Sequence, residues 1–550
     1  MSLRGMVDVK YPRSRRRVWS FLPLLAAVGC GGGEPPSTVN MLMGQGGGSG
    51  SGNPASNGGS GVTPAPGTGG SGGSSSEVMT PDIGIVPTGG TGGGGEPTVM
   101  DVVTDEFVTN VSVTVHPEVN TLLVVTWNQV REAERTYLDF GIAGEAAMTS
   151  RASTGSIGEH RDVVIGVPGD TDVSVRIVNE LAGTRYRTND HLGHTEPVPA
   201  GMPEAEVMFN ADLASPDRWL FGSVEDSTGG GPQNYLSQTF WLYIMDRQGR
   251  IVWYFAEPAT NATSSFQRIA RDGQYIWIER RCFGCPGNFS ESVLKMTLDW
   301  QYYEEIPVDG LADCIDVTDD GSLLYDLAGT LTERTASGQT RTIWSCRDTY
   351  GQGFNCYTNT INWNPTTNTV FLSFPEPGMV VEIDRASGEL VAQFGNQPNS
   401  WAFAPPIETP PQAWRFGFQH FPNLSPTGTL MLSSHMPGFE AFGQAPTANQ
   451  HAFLEFEIDR ANQRLVELWR YTEGGEWPRS KGMAMRLANG NTLANYGTGG
   501  VIREITPNKE TAFYVKFDVL EGNDFFNKMV GNNVLINDLY ALNGGPNAAE

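Results

Sequence analysis

The stretch VVEIDRASGELVAQFG, Val380 to Gly395, reads as an apolar strand, a tight polar turn opened by Asp384, and a second strand. Alternating apolar positions on both sides of an Asp/Ser/Gly turn are the signal of an antiparallel hairpin. The same wording returns in WLYIMDRQGRIVWYF from Trp241, LEFEIDRANQRLVELWR from Leu454 and VIREITPNKETAFYVKF from Val501. Asp246, Asp384 and Asp459 each open a turn, where a carboxylate can accept local backbone N–H bonds, so they are read as structural. A second motif, a turn feeding an apolar strand, alternates with the first: RDGQYIWIE at Arg271, DDGSLLYDL at Asp319, TTNTVFLSF at Thr366, PTGTLMLSS at Pro426 and ANGNTLANY at Ala488. Strand pairs recurring at near-even spacing predict a β-propeller. At roughly 45 to 60 residues per four-stranded blade, the chain from residue 206 to 550 holds six or seven units, and six is adopted here. The last segment, around NNVLINDLYAL, is expected to close the ring.

Before the propeller, residues 98–205 carry shorter alternating runs: VSVTVHP, TLLVVTW, RTYLDFG, RDVVIGV and DVSVRIV. So many half-buried strands in about a hundred residues predict an immunoglobulin-like or fibronectin-like β-sandwich. The ordered chain is therefore expected to be all-β, an N-terminal β-sandwich followed by a six-bladed β-propeller. His116, His160, His191 and His194 fall in the sandwich and read as surface or turn histidines.

Residues 31–97 are Gly, Ser, Pro, Thr and Asn with hardly an aromatic residue, too little apolar surface to offset the entropy of ordering. They are expected to form a flexible leash. Ahead of them, residues 1–30 hold the basic run Arg13–Arg17, the apolar run VWSFLPLLAAVG and Cys30. The apolar run is too short to span a bilayer and reads as an export signal. Ala27-Val28-Gly29-Cys30 resembles a lipobox, in which the cysteine is lipidated, and implies an exported lipoprotein anchored to a membrane of the cell envelope through Cys30. With 36 Lys+Arg against 61 Asp+Glu the formal charge is −25, which repels nucleic-acid backbones and anionic lipid surfaces.

Five further cysteines, Cys282, Cys285, Cys314, Cys346 and Cys356, favour disulfides in an exported chain. Cys282-Phe-Gly-Cys285 could form half of a zinc site, but no second close CxxC or CxxH follows, so no metal is assigned.

At this point the repeats resemble a known family. KGMAMRLANGNTLANYGTGGVIREITP, Lys481 to Pro507, is similar to a characteristic stretch of the aryl-sulfate sulfotransferases. CYTNTINWNPTTNTVFLSF, VVEIDRASGELVAQFG and QHFPNLSPTGTLMLSSH resemble the family's preceding blades in the same order. The resemblance implies an exported six-bladed propeller that moves a sulfuryl group from an aryl sulfate to a phenol through a sulfohistidine, with no nucleotide or other cofactor. His420 stands where the family keeps its sulfur-accepting histidine, and Asn359 matches an asparagine of its histidine-x-asparagine pattern. Tyr357 replaces that pattern's histidine, Asp313 and Cys314 replace a histidine-aspartate pair, and Pro375 stands where an arginine follows the strand. His420 is thus the expected nucleophile, with Tyr357, Asn359 and Asp313 as expected substrate contacts. Arg486, Arg415 or Lys481 could supply the missing positive charge, although Arg486 belongs to the ordinary blade pattern.

The departures leave a second reading open, a propeller that has lost catalysis and binds a ligand or partner at the cell envelope. A metal site on His420, His435 and His451 is disfavoured because a strand and a loop separate the histidines, and a quinoprotein site near Trp253, Trp300 and Trp469 is disfavoured because no tryptophan-docking motif repeats in every blade.

Overall fold

A computed structural model describes residues 100–225, 239–258, 267–269, 273–280, 292–308, 310–311, 314–327, 329–404, 416–435, 451–473, 481–517 and 529–543. The export signal with Cys30, the leash, Asp313, Arg415, Cys282 and Cys285 lie outside these residues. The described chain is nearly all β, with one short α-helix, Cys346–Tyr350.

Each of the five alternating runs between residues 111 and 178 lies on a strand. Val108–Val115, Leu123–Gln129 and Gly158–Val164 form a three-stranded antiparallel sheet. A seven-stranded sheet is built around Asp172–Leu181, which pairs with Ala133–Gly141, Thr184–Arg187 and His191–His194. Val125, Leu138, Val164, Val175 and Ile177 alternate inward on these strands and are fully buried, which is the period-two pattern made physical.

Among the described residues six sheets follow in chain order, antiparallel except that Ala402–Phe403 runs parallel to Arg464–Tyr471 at the edge of the fifth. The first contains Trp219–Glu225, Thr239–Asp246 and Ile251–Pro258, and the second runs from Gln267–Ile269 to Tyr303–Pro307. The third runs from Ile315–Val317 to Thr340–Ser345, and the fourth from Thr360–Asn364 to Leu390–Gly395. The fifth contains Gly417–Leu424, Leu430–His435, His451–Asp459 and Arg464–Tyr471, and the sixth runs from Met483–Arg486 to Thr511–Phe517. Each turn-then-strand motif supplies the second strand of sheets two to six, and the DRASG-like hairpins supply strand pairs of the first, fourth, fifth and sixth. The first strands of sheets two to six lie beside one another in succession, except that the sixth also packs on the second strand of the fifth.

Both ends of this array are stitched into it. Ala205–Phe209 pairs with the outermost strand of the sixth sheet, and Met529–Val530 and Val534–Ile536 both pair with Trp219–Glu225 of the first. The N-terminal sheets dock on the same array through Thr121 Oγ1, which donates to Val252 O at 2.8 Å, and Tyr540 Oη, which donates to Val163 O at 2.7 Å. His116 belongs to this contact. It is 5% exposed, with Nε2 3.0 Å from Asp299 O, so the expectation of a surface or turn histidine is corrected: the docking of the two β regions buries it.

Asp246, Asp384 and Asp459 do open their turns: Oδ1 of each accepts a backbone N–H two or three residues ahead, from Gln248, Ser387 and Asn462. The arginine after each aspartate points away to the neighbouring sheet. Arg247 Nη1 reaches Glu504 at 3.0 Å, Arg385 Nη2 reaches Glu333 at 2.5 Å and Arg460 Nη2 reaches Glu382 at 2.9 Å. All three carboxylates are buried. The hairpin turns therefore carry the cations that neutralise acids on the third strand of the sheet beside them. Gly388 shows how close the sheets come: at φ +76°, a Cβ there would lie 2.2 Å from Ile343 O of the third sheet. Cys346 and Cys356 form a disulfide in the core of the third and fourth sheets. Cys314 is buried in the same core, its Sγ 3.8 Å from Thr358 Oγ1.

Candidate functional site

His420 sits in the middle of Gly417–Leu424, the first strand of the fifth sheet, opposite Ser433. The pairing slips on both sides of it, between Gly417 and His420 and again between His420 and Asn423, so the histidine stands between two bulges. Phe418 and Phe421 absorb the extra length at φ +46° and +56°. Bulky residues avoid that region, and bulges re-aim side chains out of the regular pleat.

A bulged strand loses ladder hydrogen bonds, and here other groups replace them. Phe418 N–H donates to Pro375 O at 3.1 Å. Asn359 Nδ2 donates to Gln419 O at 2.9 Å, and Ser373 Oγ donates to the same carbonyl at 3.0 Å. Phe421 N–H donates to Thr360 Oγ1 at 3.0 Å, and Asn362 Nδ2 donates to Pro422 O at 2.7 Å. The Gln419 side chain turns inward and donates to Ser373 Oγ, Phe374 O and Met379 O at 2.9 to 3.1 Å. The backbone on either side of His420 is thereby clamped by the fourth sheet.

The imidazole Nε2 accepts the Lys481 backbone N–H at 3.3 Å, so the ring is the neutral tautomer with its proton on Nδ1. Lys481 holds φ +65° and Gly482 φ +112° at this point. A Cβ on Gly482 would lie 2.5 Å from Ser433 Oγ, so this chain crossing requires glycine. Burial, the neighbouring His435 and the Lys481 charge together push the His420 pKa down to about 3. Burial takes His435 down to about 4, and His451 is also lowered well below its ordinary value, chiefly by burial. All three are neutral at pH 7.

His435 and His451 face each other across paired strands, ring centroids 5.8 Å apart, and His451 Nε2 lies 2.8 Å from Ser433 Oγ. Among the described residues no group of three or more His, Cys, Asp or Glu side chains is arranged to hold a metal. Trp253 is fully buried and donates from Nε1 to Leu298 O at 2.8 Å, a bond that ties the first sheet to the second.

His420 opens onto a narrow crevice lined by Thr360, Phe421, Lys481, Asn495, Gly531 and Asn532 among others. The space inside it, open mouth included, is about 220 Å³, but it leaves no room for a water-sized sphere, so a bound group enters only if the lining moves. The described lining includes Lys481, whose charge acts on His420, and no carboxylate residue.

Of the residues picked from sequence, Asn359 is buried with its amide committed to the Gln419 carbonyl, and Tyr357 is 44% exposed. Neither is among the described lining residues. Arg486 bonds Glu455, Thr492 Oγ1 and Gly490 O within the fifth and sixth sheets, as its place in the blade pattern implied. Thr360, Gln419 and Asn532 are functional neighbours that the sequence reading does not pick out. The pair Gln419-His420 was a usable signal for the second of them, whereas nothing local marks the other two.

The sequence matches no protein-family model and no curated protein. Solved structures with a similar chain course include an auxiliary nutrient binding protein from Bacteroides thetaiotaomicron, at 8% identity over 76% of this chain and 98% of that one, with a TM-score of 0.30. A streptogramin B lyase is 13% identical over 58% of this chain and 100% of its own, with a TM-score of 0.29. Hsv2 from Kluyveromyces lactis is 11% identical over 68% and 95%, also at 0.29. At this distance the likeness carries no argument about substrate or activity.

Proposed function

We propose that the chain is an exported lipoprotein whose six sheets are the blades of a β-propeller behind an N-terminal β-sandwich, and that it transfers a sulfuryl group from an aryl sulfate to a phenol through His420. The ring reading is supported by the six sheets that follow in chain order among the described residues and by a C-terminal segment that returns to the first of them. The observation that carries the chemistry is a neutral, clamped histidine sharing a crevice with a lysine and with no carboxylate among the described lining residues. A sulfate ester is anionic, so a carboxylate facing it would oppose binding, and an ammonium favours it.

In this reading the Nε2 lone pair that accepts the Lys481 N–H attacks sulfur. That contact breaks as the N–S bond forms, the S–O bond to the aryl group breaks, and the departing phenolate is protonated from solvent. The acceptor phenol then gives its proton to solvent as its oxygen attacks sulfur, the N–S bond breaks, and the imidazole returns neutral. Asn359 acts at one remove by fixing the Gln419 carbonyl next to the nucleophile.

The test mixes purified protein with a chromogenic aryl sulfate and a phenol. Turnover should vanish in His420→Ala, and an adduct of sulfate mass should be trapped on His420 in the wild type. The exposed Tyr357, in place of a family histidine, favours the second reading, a ligand-binding propeller without catalysis. Absence of turnover over a broad panel of sulfate esters, with the fold intact, would establish that alternative against ours.

A further inference from the structure

The C-terminal segment does more than close the array. Gly531, Asn532 and Asn533 link its two short strands, and Gly531 and Asn532 line the crevice beside His420. Gly531 N–H donates to Ser223 O at 3.2 Å, and Asn495 Nδ2 donates to both Gly531 O and Asn533 Oδ1, at 2.5 and 2.8 Å. Asn495 Oδ1 accepts from Gly497 N–H, and Asn533 N–H lies 3.1 Å from Met483 Sδ. Asn532 differs from these neighbours. It is 9% exposed and lines the crevice, yet its Nδ2 has no hydrogen-bond partner among the described residues. A buried amide donor left unmatched is unfavourable and calls for a reason.

We propose that the Asn532 side-chain amide donates to an oxygen of the anionic group bound beside His420, so that the C-terminal closing segment completes the site. The proposal rests on the sulfuryl-transfer reading for the identity of that group, a sulfate ester or a sulfonate of the same shape and charge. Three features carry it. The donor is idle and buried, its mounting is pinned to the first and sixth sheets, and the partner it needs is an acceptor. A chain with a formal charge of −25 must hold an anion with local donors, and at this crevice the Lys481 charge, which acts on His420, and the Asn532 amide are suited to that role. A donor fixed before the ligand arrives does not have to reorganise as charge shifts onto the sulfuryl oxygens. The nitrogen has essentially no exposed surface, so the ligand oxygen reaches it by widening the rim of the crevice.

The test titrates the full chain by calorimetry with benzenesulfonate, inorganic sulfate and phenol, in wild type, Asn532→Ala and Asn532→Asp, with circular dichroism and thermal unfolding as checks of the fold. Benzenesulfonate affinity should fall at least tenfold in Asn532→Ala and further in Asn532→Asp, while phenol affinity stays at the wild-type value. In the transfer assay, kcat should fall about 100-fold in Asn532→Ala, the usual effect of deleting one oxyanion donor, with KM for phenol unchanged. If Asn532→Asp fails to fold, the alanine variant alone decides. Unchanged sulfonate affinity in the variants, or a wild type that binds no sulfonate, overturns the proposal. Sulfonate binding that depends on Asn532 without transfer of any ester would sink the sulfuryl-transfer reading alone. Transfer that needs His420 but ignores Asn532 would sink this one alone.

Discussion

Lowering the pH from 7 to 5 should destabilise the fifth sheet and its neighbours severely, because His420, His435 and His451 all fold in the neutral form. Burial is the first cause for each, taking His420 down to about 3 and His435 down to about 4 and lowering His451 too. The unfolded chain takes up protons at its histidines near pH 6.5, while these folded sites refuse them. Stability is therefore full above about pH 6.5 and falls as the pH drops toward the folded values. Over the interval from 7 to 5, His420 and His435 each contribute a loss of about 2 kcal/mol, and His451 adds to it in the same direction. Asp162 works the other way. Burial raises its pKa to about 6, so the folded state gains its proton first and recovers about 1.4 kcal/mol over the same interval. The histidines win, and the net loss should be at least about 2–3 kcal/mol. Urea unfolding at pH 7, 6 and 5, followed by tryptophan fluorescence, measures this. His435→Gln should flatten the dependence by about 2 kcal/mol. A net change below about 1 kcal/mol, or an unaltered slope in His435→Gln, would refute the claim that these rings are buried neutral.

Three other perturbations probe the frame and its export. Arg247→Met should cost about 3–5 kcal/mol, since it strands Glu504 fully buried, and Arg247→Met with Glu504→Met should recover most of that loss in thermal unfolding. Replacing Cys346 and Cys356 with Ala opens a loop of sequence separation 10 and should cost about 2–3 kcal/mol, while non-reducing peptide mapping of the wild type should recover the two linked. Cys30→Ala should move the protein from the membrane to the soluble fraction on cell fractionation, and retention at the membrane would contradict the lipid anchor.

Strand identity was legible because it is local. IDRASGEL and TTNTVFLSF carry their alternation and turn residues within ten positions, and the structure has strands at both places. Long-range partners were not. The dipeptide Asp-Arg occurs in three hairpins, yet only the folded arrangement shows each arginine reaching a glutamate of the sheet beside it. His116 misled for the same reason, since the group that buries it, the turn at Asp299, lies 183 residues away. At the site, the histidine could be chosen from a short roster, but the two bulges could not, because their positive-φ positions hold phenylalanine where glycine would have announced them. Asn532 sits in a tail whose sequence says little beyond closure, and its role depends on where Trp219–Glu225 holds that tail.

The backbone around His420 argues for function independently of the resemblance. A left-handed conformation at Phe418 and another at Phe421 each disfavour the fold by roughly 1–3 kcal/mol. A regular strand of the same length would avoid both, pair fully with Leu430–His435, and leave Asn359, Thr360 and Asn362 without backbone groups to satisfy. Instead the chain keeps the distortion and surrounds it with hydrogen bonds from the fourth sheet. What the distortion achieves is the placement of one imidazole at a crevice, with its Nε2 lone pair held by a single 3.3 Å contact from Lys481. That contact is long enough to be displaced by an electrophile. Left-handed backbone also occurs at exposed turns such as Gln463 and Lys509, but at Phe418 and Phe421 it lies within a strand and flanks the imidazole at the crevice, which is the placement the proposed nucleophile needs.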